Sequence, residues 1–98
     1  MNKIRKIGII GAGNMGEALI AGFLKSKAFS PQDVYASEII EKRRKYITSN
    51  YHIKCFDDLK NLVESSDLIM IAVKPYDVKN VLESIGKEIT PEKTLLSI

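Results

Sequence analysis

The segment GAGNMG, residues 11–16, is the first whose residue types and spacing could do chemistry. It consists of Gly11, Ala12, Gly13, Asn14, Met15 and Gly16. In the pattern G-x-G-x-x-G, the first glycine allows a tight turn, the second lets a pyrophosphate approach the backbone, and the third lets a helix pack close to a sheet. The first turn of that helix would offer free N–H groups and a positive dipole end to the phosphates. The segment therefore predicts a dinucleotide-binding loop, and the alternative is a glycine-rich turn with a purely structural role.

A second pair of candidate residues, Ser37 and Glu38, ends the apolar segment VYAS and follows it. Glu38 could accept hydrogen bonds from both hydroxyls of an adenine ribose, which favours NAD, and its charge would repel a 2′-phosphate. Ser37 could instead bind a phosphate, with the basic cluster at 41–45 one to two helical turns further on. Alternatively, Ser37 caps the next helix, Glu38 complements the dipole of that helix, and the basic cluster is a solvated helix face. The choice between NAD and NADP therefore stays open.

The third candidate segment, AVKP, closes the most apolar run of the sequence. It consists of Ala72, Val73, Lys74 and Pro75. Pro75 cannot extend a sheet ladder, and it restricts Lys74 to extended geometry. A loop here would present Lys74 and backbone groups on the nicotinamide side of a cofactor, because ligands of such sheets bind at the carboxyl ends of the strands. The alternative is an ordinary strand-to-helix turn with a solvated lysine.

The elements that must position these segments alternate along the chain. Apolar and β-branched runs predict strands at 4–10, 34–37, 53–56, 67–73 and from 94 onward. Apolar spacing predicts helices at 14–27, 38–50, around 59–63 and around 78–85, with proline turns at 30–33 and 90–93. This alternation indicates βαβ units. We therefore expect an α/β Rossmann fold, a doubly wound parallel sheet with strand order 3-2-1-4-5.

Local spacing also predicts how two of the helices begin. Asn14, followed by Glu17 three residues later, resembles a capping box. Asp57 or Asp58 is expected to cap the short helix around 59–63.

Composition narrows the classes of function. The chain has 98 residues, of which 45% are hydrophobic and 28% charged, with a net charge of +3, as in a soluble globular domain. No nucleic-acid module accompanies the scattered basic residues. The apolar runs are far shorter than the roughly 18 residues that span a bilayer, and glycines interrupt the only stretch that resembles a signal peptide. We therefore expect a cytoplasmic protein that binds neither nucleic acid nor membrane.

The sequence offers little support for metal or cysteine chemistry. Cys55 is the only cysteine, so no internal disulfide can form. It is expected to be a buried strand residue rather than a nucleophile. His52 is the only histidine and has no companion ligands. We therefore expect no metal site and no histidine-based catalytic triad.

The chain resembles a known family over its whole length. The segments IGIIGAGNMGEALIAGFL, SDLIMIAVKP and LLSI resemble the N-terminal domain of pyrroline-5-carboxylate reductase. The resemblance implies NAD(P)H-dependent hydride transfer to the C=N bond of 1-pyrroline-5-carboxylate, which gives L-proline in amino-acid biosynthesis. It also implies that residues 11–16 hold the cofactor pyrophosphate and that residues 72–75 line the dinucleotide site.

Two departures from the family limit what the resemblance implies. The family often has an asparagine near the cofactor after the third strand, whereas this chain has FDDLKN with Asp57 and Asp58. The family's substrate pocket and dimer interface lie in a helical C-terminal domain that is absent here. We therefore expect residues 1–98 to be one domain of a longer chain that forms homo-oligomers through the missing domain, and no catalytic residue is assigned. The alternatives are a non-enzymatic NAD(P)-sensing module and a related imine or keto-acid reductase.

Overall fold

The computed structural model describes residues 4–98 as a five-stranded parallel sheet with four α-helices. The strands are β1 (Ile7–Ile10), β2 (Val34–Ser37), β3 (Lys54–Phe56), β4 (Leu68–Ile71) and β5 (Thr94–Ser97). The helices are α1 (Asn14–Lys25), α2 (Glu41–Tyr51), α3 (Leu59–Ser65) and α4 (Pro75–Ile85). The strand order β3-β2-β1-β4-β5 confirms the predicted doubly wound fold. The first three residues of the predicted domain lie outside the described range.

The register of the sheet brings three strand ends to one edge. Ile10, the last residue of β1, lies opposite Ser37 of β2 and opposite Ile71 of β4. Both pairings are between parallel strands, so the segments that follow these three residues leave the sheet on the same side. The glycine segment, Glu38 and the segment from 72 to 75 therefore lie together at the carboxyl-terminal edge of the sheet, as the sequence predicted.

Helices cover both faces of the sheet, and each face has its own apolar cluster. Ile7 and Ile9 of β1 lie in the cluster beneath α1 and α2, whereas Ile10 lies in the cluster beneath α3 and α4. This division follows from the alternation of side chains along a strand. The strand β4 divides in the same way, with Met70 in the first cluster and Ile69 in the second. Burial on both faces explains the continuous apolar runs of these two strands.

Several predicted boundaries are too wide. The strand β1 begins at Ile7 instead of residue 4, and α1 ends at Lys25, two residues early, because Lys27 has a left-handed backbone with φ of 62°. The helix α2 begins at Glu41 rather than at 38, because Ile40 is extended. Of the apolar residues near this helix, Ile47 is buried while Ile39 and Ile40 are exposed. The apolar face of α2 is therefore even thinner than its sequence suggests.

One predicted cap is confirmed and the other is wrong. The carboxylate of Asp58 accepts the backbone N–H of Asn61 at 2.9 Å and caps α3. The helix α1, however, has Gly13 at its N-cap position and no side-chain capping bond. Asn14 is instead the first residue of α1, and the carboxylate of Glu17 binds side chains of α2.

Among residues 4–98, none of the helices combines the length and the apolar character needed to cross a membrane.

Candidate functional site

The turn from β1 into α1 requires glycine at its first position. Gly11 has φ of +96°, a conformation that residues with a Cβ rarely adopt. A Cβ added there would lie 2.9 Å from Cγ1 of Val73. The backbone N–H of Gly11 donates to the carbonyl oxygen of Ser37 at 3.1 Å and so ties the turn to the end of β2. The backbone conformation of the turn therefore requires glycine at position 11, which confirms the tight-turn role predicted for it.

Gly16 lets α1 pack directly on this turn. A Cβ at Gly16 would overlap the carbonyl oxygen of Gly11, and Gly16 is buried. The third glycine of the motif therefore provides close packing between helix and sheet edge.

Gly13 differs from the other two glycines because the fold does not need it. Its φ of −77° and ψ of −160° are open to any residue, and no atom beyond Gly13 and its two chain neighbours lies within 4 Å of the position of an added Cβ. The open space lies at the N-terminus of α1, where the N–H groups of the first helical turn lack intrahelical acceptors. The next two residues, Asn14 and Met15, are exposed. The space and the donors around Gly13 fit a phosphate group, which carries negative charge and accepts hydrogen bonds.

The carboxylate of Glu38 spans the glycine turn. One oxygen, Oε1, accepts the backbone N–H of Ala12 at 3.2 Å, and the other, Oε2, accepts the backbone N–H of Ile40 at 3.1 Å. Ser37 is buried, at 4% exposure, and lies four residues before α2 begins. The alternative in which Ser37 caps α2 is therefore wrong, since the N-cap residue is Ile40.

The basic cluster at 41–45 is divided between solvent and the glycine turn. Arg43 donates through Nε to the carbonyl oxygen of Ala12 and through a terminal nitrogen to Glu17, both at 2.6 Å. Arg44 donates to the carbonyl oxygen of Glu38 at 2.7 Å. Lys42 is exposed. Part of the cluster is thus a solvated face, as predicted, while the two arginines brace the turn and the end of β2.

Glu17 is the centre of a polar network that the sequence does not reveal. Besides Arg43, its carboxylate accepts the hydroxyls of Tyr51 and Tyr46. These bonds, that of Tyr51 first, hold the pKa of Glu17 below its ordinary value. The bond to Glu17, together with burial, raises the pKa of Tyr51 to about 12. The network fixes α2 against α1, and its partners are 26 to 34 positions apart, so no local spacing could have indicated it.

The segment from 72 to 75 connects β4 to α4. The backbone N–H of Ala72 donates to the carbonyl oxygen of Ile10 at 2.9 Å, and Val73 lies beside Gly11. Lys74 is extended, with ψ of 150°, as expected before a proline. Pro75 is the first residue of α4, where its missing N–H costs nothing. Both Lys74 and Pro75 are exposed.

A cavity of about 360 Å³ opens at this edge of the sheet. Of the residues predicted from the sequence, it brings together Gly11, Ser37, Glu38 and Val73. The remaining predicted residues, which do not line it, are Ala12, Gly13, Asn14, Met15, Gly16, Ala72, Lys74 and Pro75. The sequence missed the contribution of two other elements, which supply Asp57, Asp58 and Leu59 before and in α3 and Asp77, Val81 and Ser84 in α4. The spacing 77, 81, 84 marks one helix face, and this is the signal that could have found it.

The described residues contain no group of three or more His, Cys, Asp or Glu side chains that could hold a metal ion. Cys55 lies in β3 as predicted and is half-buried. Burial, with the nearby charge of Glu38, raises the pKa of its thiol to about 11. A thiol with this pKa is a poor nucleophile at neutral pH.

Comparison with known proteins identifies the family. The family model described as "NADP oxidoreductase coenzyme F420-dependent" matches residues 6–98. The chain belongs to this NADP oxidoreductase family. A curated relative, the pyrroline-5-carboxylate reductase of Methanosarcina acetivorans, is 38% identical to this chain over 94 residues. The match covers 96% of this chain and 35% of the relative. The resemblance to pyrroline-5-carboxylate reductase is thereby confirmed.

Two solved structures share the fold of this oxidoreductase domain. Pyrroline carboxylate reductase of Plasmodium falciparum with NADP bound is 28% identical, with a TM-score of 0.81, over 100% of this chain and 34% of that chain. An imine reductase variant from Myxococcus stipitatus in complex with NAD⁺ is 28% identical, with a TM-score of 0.75, over 96% of this chain and 31% of that one. NADP or NAD is therefore the cofactor type of this group, as predicted. The chain spans about a third of the length of these relatives.

Proposed function

We propose that the chain is the dinucleotide-binding domain of an NAD(P)H-dependent reductase that converts 1-pyrroline-5-carboxylate to L-proline. The observation that supports this most is the open space at Gly13, over the first turn of α1, in a chain that is 38% identical to a pyrroline-5-carboxylate reductase. A glycine that the backbone does not require is expected where a ligand must approach the main chain.

Each predicted segment has a place in this proposal. The backbone N–H groups of residues 11–16 bind the diphosphate, and Glu38 accepts hydrogen bonds from ribose hydroxyls. Val73 and Val81 supply apolar walls for the adenosine in the cavity. The segment from 72 to 75 faces the nicotinamide side. The bound cofactor supplies the hydride, so the chain's own task is to orient the dinucleotide and to keep water from it.

The proposal also concerns the domain organisation. Since the chain spans about a third of its relatives, we propose that residues 1–98 form the N-terminal domain of a longer cytoplasmic protein. The substrate pocket, the catalytic groups and the dimer interface would then lie in the remaining part. The chain alone is expected to bind the cofactor weakly and to convert no substrate.

The test compares the chain with the full-length gene product. NADH and NADPH are titrated into each protein and followed by cofactor fluorescence, and 1-pyrroline-5-carboxylate is then added while proline and oxidised cofactor are measured. We expect binding without turnover by the chain, and proline formation by the full-length protein. A full-length protein that binds cofactor but forms no proline would contradict the proposed substrate, and proline formation by the chain alone would contradict the proposed division of labour.

A second candidate, reduction of other cyclic imines, is favoured by the similarity to the imine reductase of Myxococcus stipitatus. The same full-length assay with 1-pyrroline, which lacks the carboxylate, separates the two. Faster turnover of 1-pyrroline than of 1-pyrroline-5-carboxylate would favour this candidate.

A further inference from the structure

We propose that Arg43, held in place by Glu17, is a positioning residue that turns the Gly13 N–H group toward the diphosphate of the cofactor. The inference rests on the proposed dinucleotide site. It assigns to that site two side chains that act through the main chain of the glycine turn.

Two successive peptide groups of the glycine turn are held by side chains from outside the turn. The N–H of Ala12 donates to the Glu38 carboxylate at 3.2 Å. The next peptide group joins Ala12 to Gly13, and its carbonyl oxygen accepts the Nε–H of Arg43 at 2.6 Å. Arg43 therefore sets the orientation of the peptide group that borders the open space at Gly13.

The bond from Arg43 also fixes the direction of the Gly13 N–H. The peptide group is trans, so its N–H points opposite to its C=O. The C=O points toward Arg43 on α2, and the N–H therefore points away from that side chain. Among the hydrogen bonds within residues 4–98, none has the Gly13 N–H as its donor. This N–H is thus available to a phosphate oxygen.

Without Arg43, a second orientation of this peptide group is open to the backbone. Rotation of the group changes ψ of Ala12 and φ of Gly13, and glycine populates positive φ about as readily as negative φ. In the rotated state the carbonyl oxygen, with its partial negative charge, would face the space that the diphosphate must enter. The glycine that gives a phosphate access therefore also makes an external hydrogen bond necessary.

The guanidinium of Arg43 is itself fixed by two further contacts. A terminal nitrogen forms an ion pair with Oε1 of Glu17 at 2.6 Å, and the central carbon Cζ lies 4.9 Å from the ring centroid of Tyr46. The other oxygen of Glu17 accepts the hydroxyls of Tyr46 and Tyr51. A planar guanidinium can bind the Glu17 carboxylate and the Ala12 carbonyl at the same time in fixed geometry, which the compact ammonium of a lysine does less well.

The size of the effect follows from the population of the binding-competent orientation. A ligand that binds only one orientation has an apparent dissociation constant that rises by the inverse of the population of that orientation. A hydrogen bond from a charged donor favours the orientation that it holds by a factor of roughly 10 to 100. We therefore expect loss of the Arg43 bond to weaken dinucleotide binding about tenfold.

The decisive variant is Glu17→Ala in the full-length gene product, titrated with NADH and NADPH by calorimetry. The substitution removes a negative charge from the first turn of α1, so electrostatics alone predicts tighter binding of the anionic cofactor. The proposed role predicts the reverse, about tenfold weaker binding, because Arg43 loses the partner that holds it. ADP-ribose, which has the diphosphate and lacks the nicotinamide, should lose affinity by the same factor.

Two conservative variants separate orientation from charge. Glu17→Gln keeps an oxygen that can accept the N–H of Arg43, and it is expected to bind NADH within about threefold of the wild type. Arg43→Lys keeps the positive charge and loses the fork of donors, and it is expected to bind NADH as weakly as Arg43→Ala.

The matched control is Glu41→Gln, which removes one carboxylate from an exposed residue of α2 that pairs with Lys45. It is expected to leave the affinity for NADH unchanged. Thermal melting shows that each variant is folded at the temperature of the titration. In assays with 1-pyrroline-5-carboxylate, Glu17→Ala should raise KM for NADH about tenfold and change kcat less than about twofold, because saturating cofactor restores the competent orientation.

Four results would overturn the role of Arg43 and Glu17. They are tighter or unchanged NADH binding by folded Glu17→Ala, a loss of NADH affinity that ADP-ribose does not share, wild-type affinity of Arg43→Lys, and binding by Glu17→Gln as weak as by Glu17→Ala. Wild-type affinity of Arg43→Lys would show that the residue acts by its charge on a phosphate.

The outcomes also separate this inference from the proposed function. Failure of the wild-type full-length protein to bind NADH or NADPH would overturn the proposed function and, with it, this inference. Binding of the cofactor without conversion of 1-pyrroline-5-carboxylate would overturn the proposed substrate alone, and the affinities of the variants would still decide the role of Arg43.

Discussion

Replacing Gly13 by valine separates ligand binding from folding more cleanly than any other change in the site. Position 13 has a backbone conformation open to L-residues, and a Cβ there meets no atom within 4 Å beyond its two chain neighbours. The cost to the fold is therefore limited to the exchange of glycine for valine at the N-cap of α1, about 1 kcal/mol. For a domain of this size, that lowers the melting temperature by about 4–8 °C.

The effect on binding should be much larger. The valine side chain would occupy the space over the first turn of α1, through which a diphosphate must reach the backbone N–H groups. A hydrogen bond to a charged group contributes about 1.5–3 kcal/mol, so losing two of them costs about 3–6 kcal/mol. At about 1.4 kcal/mol for each factor of ten, the variant Gly13→Val should bind NADH at least about 100-fold more weakly.

The assay is NADH titration by calorimetry, accompanied by thermal melting of each protein. The matched control is Gly22→Ala in the same helix, where an added Cβ also meets no atom within 4 Å. This control should bind NADH as the wild type does. It should be more stable than the wild type by up to about 1 kcal/mol, because alanine has a higher helix propensity than glycine. If Gly13→Val folds and binds NADH within about threefold of the wild type, the diphosphate does not lie at the start of α1 and the reasoning is refuted.

Three further predictions follow from the structure. Gly16→Ala should destabilise the fold by about 1–3 kcal/mol in urea denaturation, because its Cβ overlaps the carbonyl oxygen of Gly11; wild-type stability would show that α1 can shift freely. Bonds from Tyr51 and Arg43 hold the pKa of Glu17 below 4.5. The stabilisation of the fold by the ionised Glu17 carboxylate is therefore present above pH 4.5 and is lost as pH falls through the folded-state pKa. Glu17→Gln should flatten the acid side of the plot of unfolding free energy against pH, and parallel plots for the variant and the wild type would contradict this. Burial raises the pKa of the Cys55 thiol from 9.0 to about 11, so Ellman's reagent at pH 8 should modify the native chain at least about tenfold more slowly than the urea-unfolded chain; equal rates would show that the thiol is not protected.

The sequence predicted the parts of the fold that depend on neighbouring residues. The alternation of strands and helices follows from alternating apolar segments, and the turn at Gly11 follows from a glycine between a strand and a helix. The cap at Asp58 also depends on residues only three positions apart. Such features are local, so their pattern is visible in the chain itself.

Two of the errors occur where distant partners override a local pattern. The spacing of Asn14 and Glu17 fits a capping box, but charge-assisted bonds from Arg43 and the tyrosines of α2 hold the Glu17 carboxylate instead. The helix α2 begins at Glu41 instead of the predicted residue 38. The Glu38 carboxylate accepts the backbone N–H of Ala12, 26 positions earlier, and that of Ile40, and so holds Ile40 extended.

The acidic wall of the cavity was also hidden from sequence reasoning. Asp77 lies in α4 and Asp57 follows β3, and only the parallel sheet brings these elements to one edge beside Glu38. The spacing of 77, 81 and 84 marks one face of α4, but it does not by itself indicate that this face meets a strand end.

The central strand β1 sends Ile7 and Ile9 into one apolar cluster and Ile10 into the other. Neither layer of helices can therefore detach without exposing part of a strand that the other layer also needs. We expect the chain to melt in one cooperative transition, with equal calorimetric and van't Hoff enthalpies. The amide protons of β1, which is paired on both sides by β2 and β4, should exchange with deuterium only through this global opening, and those of the edge strands should exchange through smaller fluctuations.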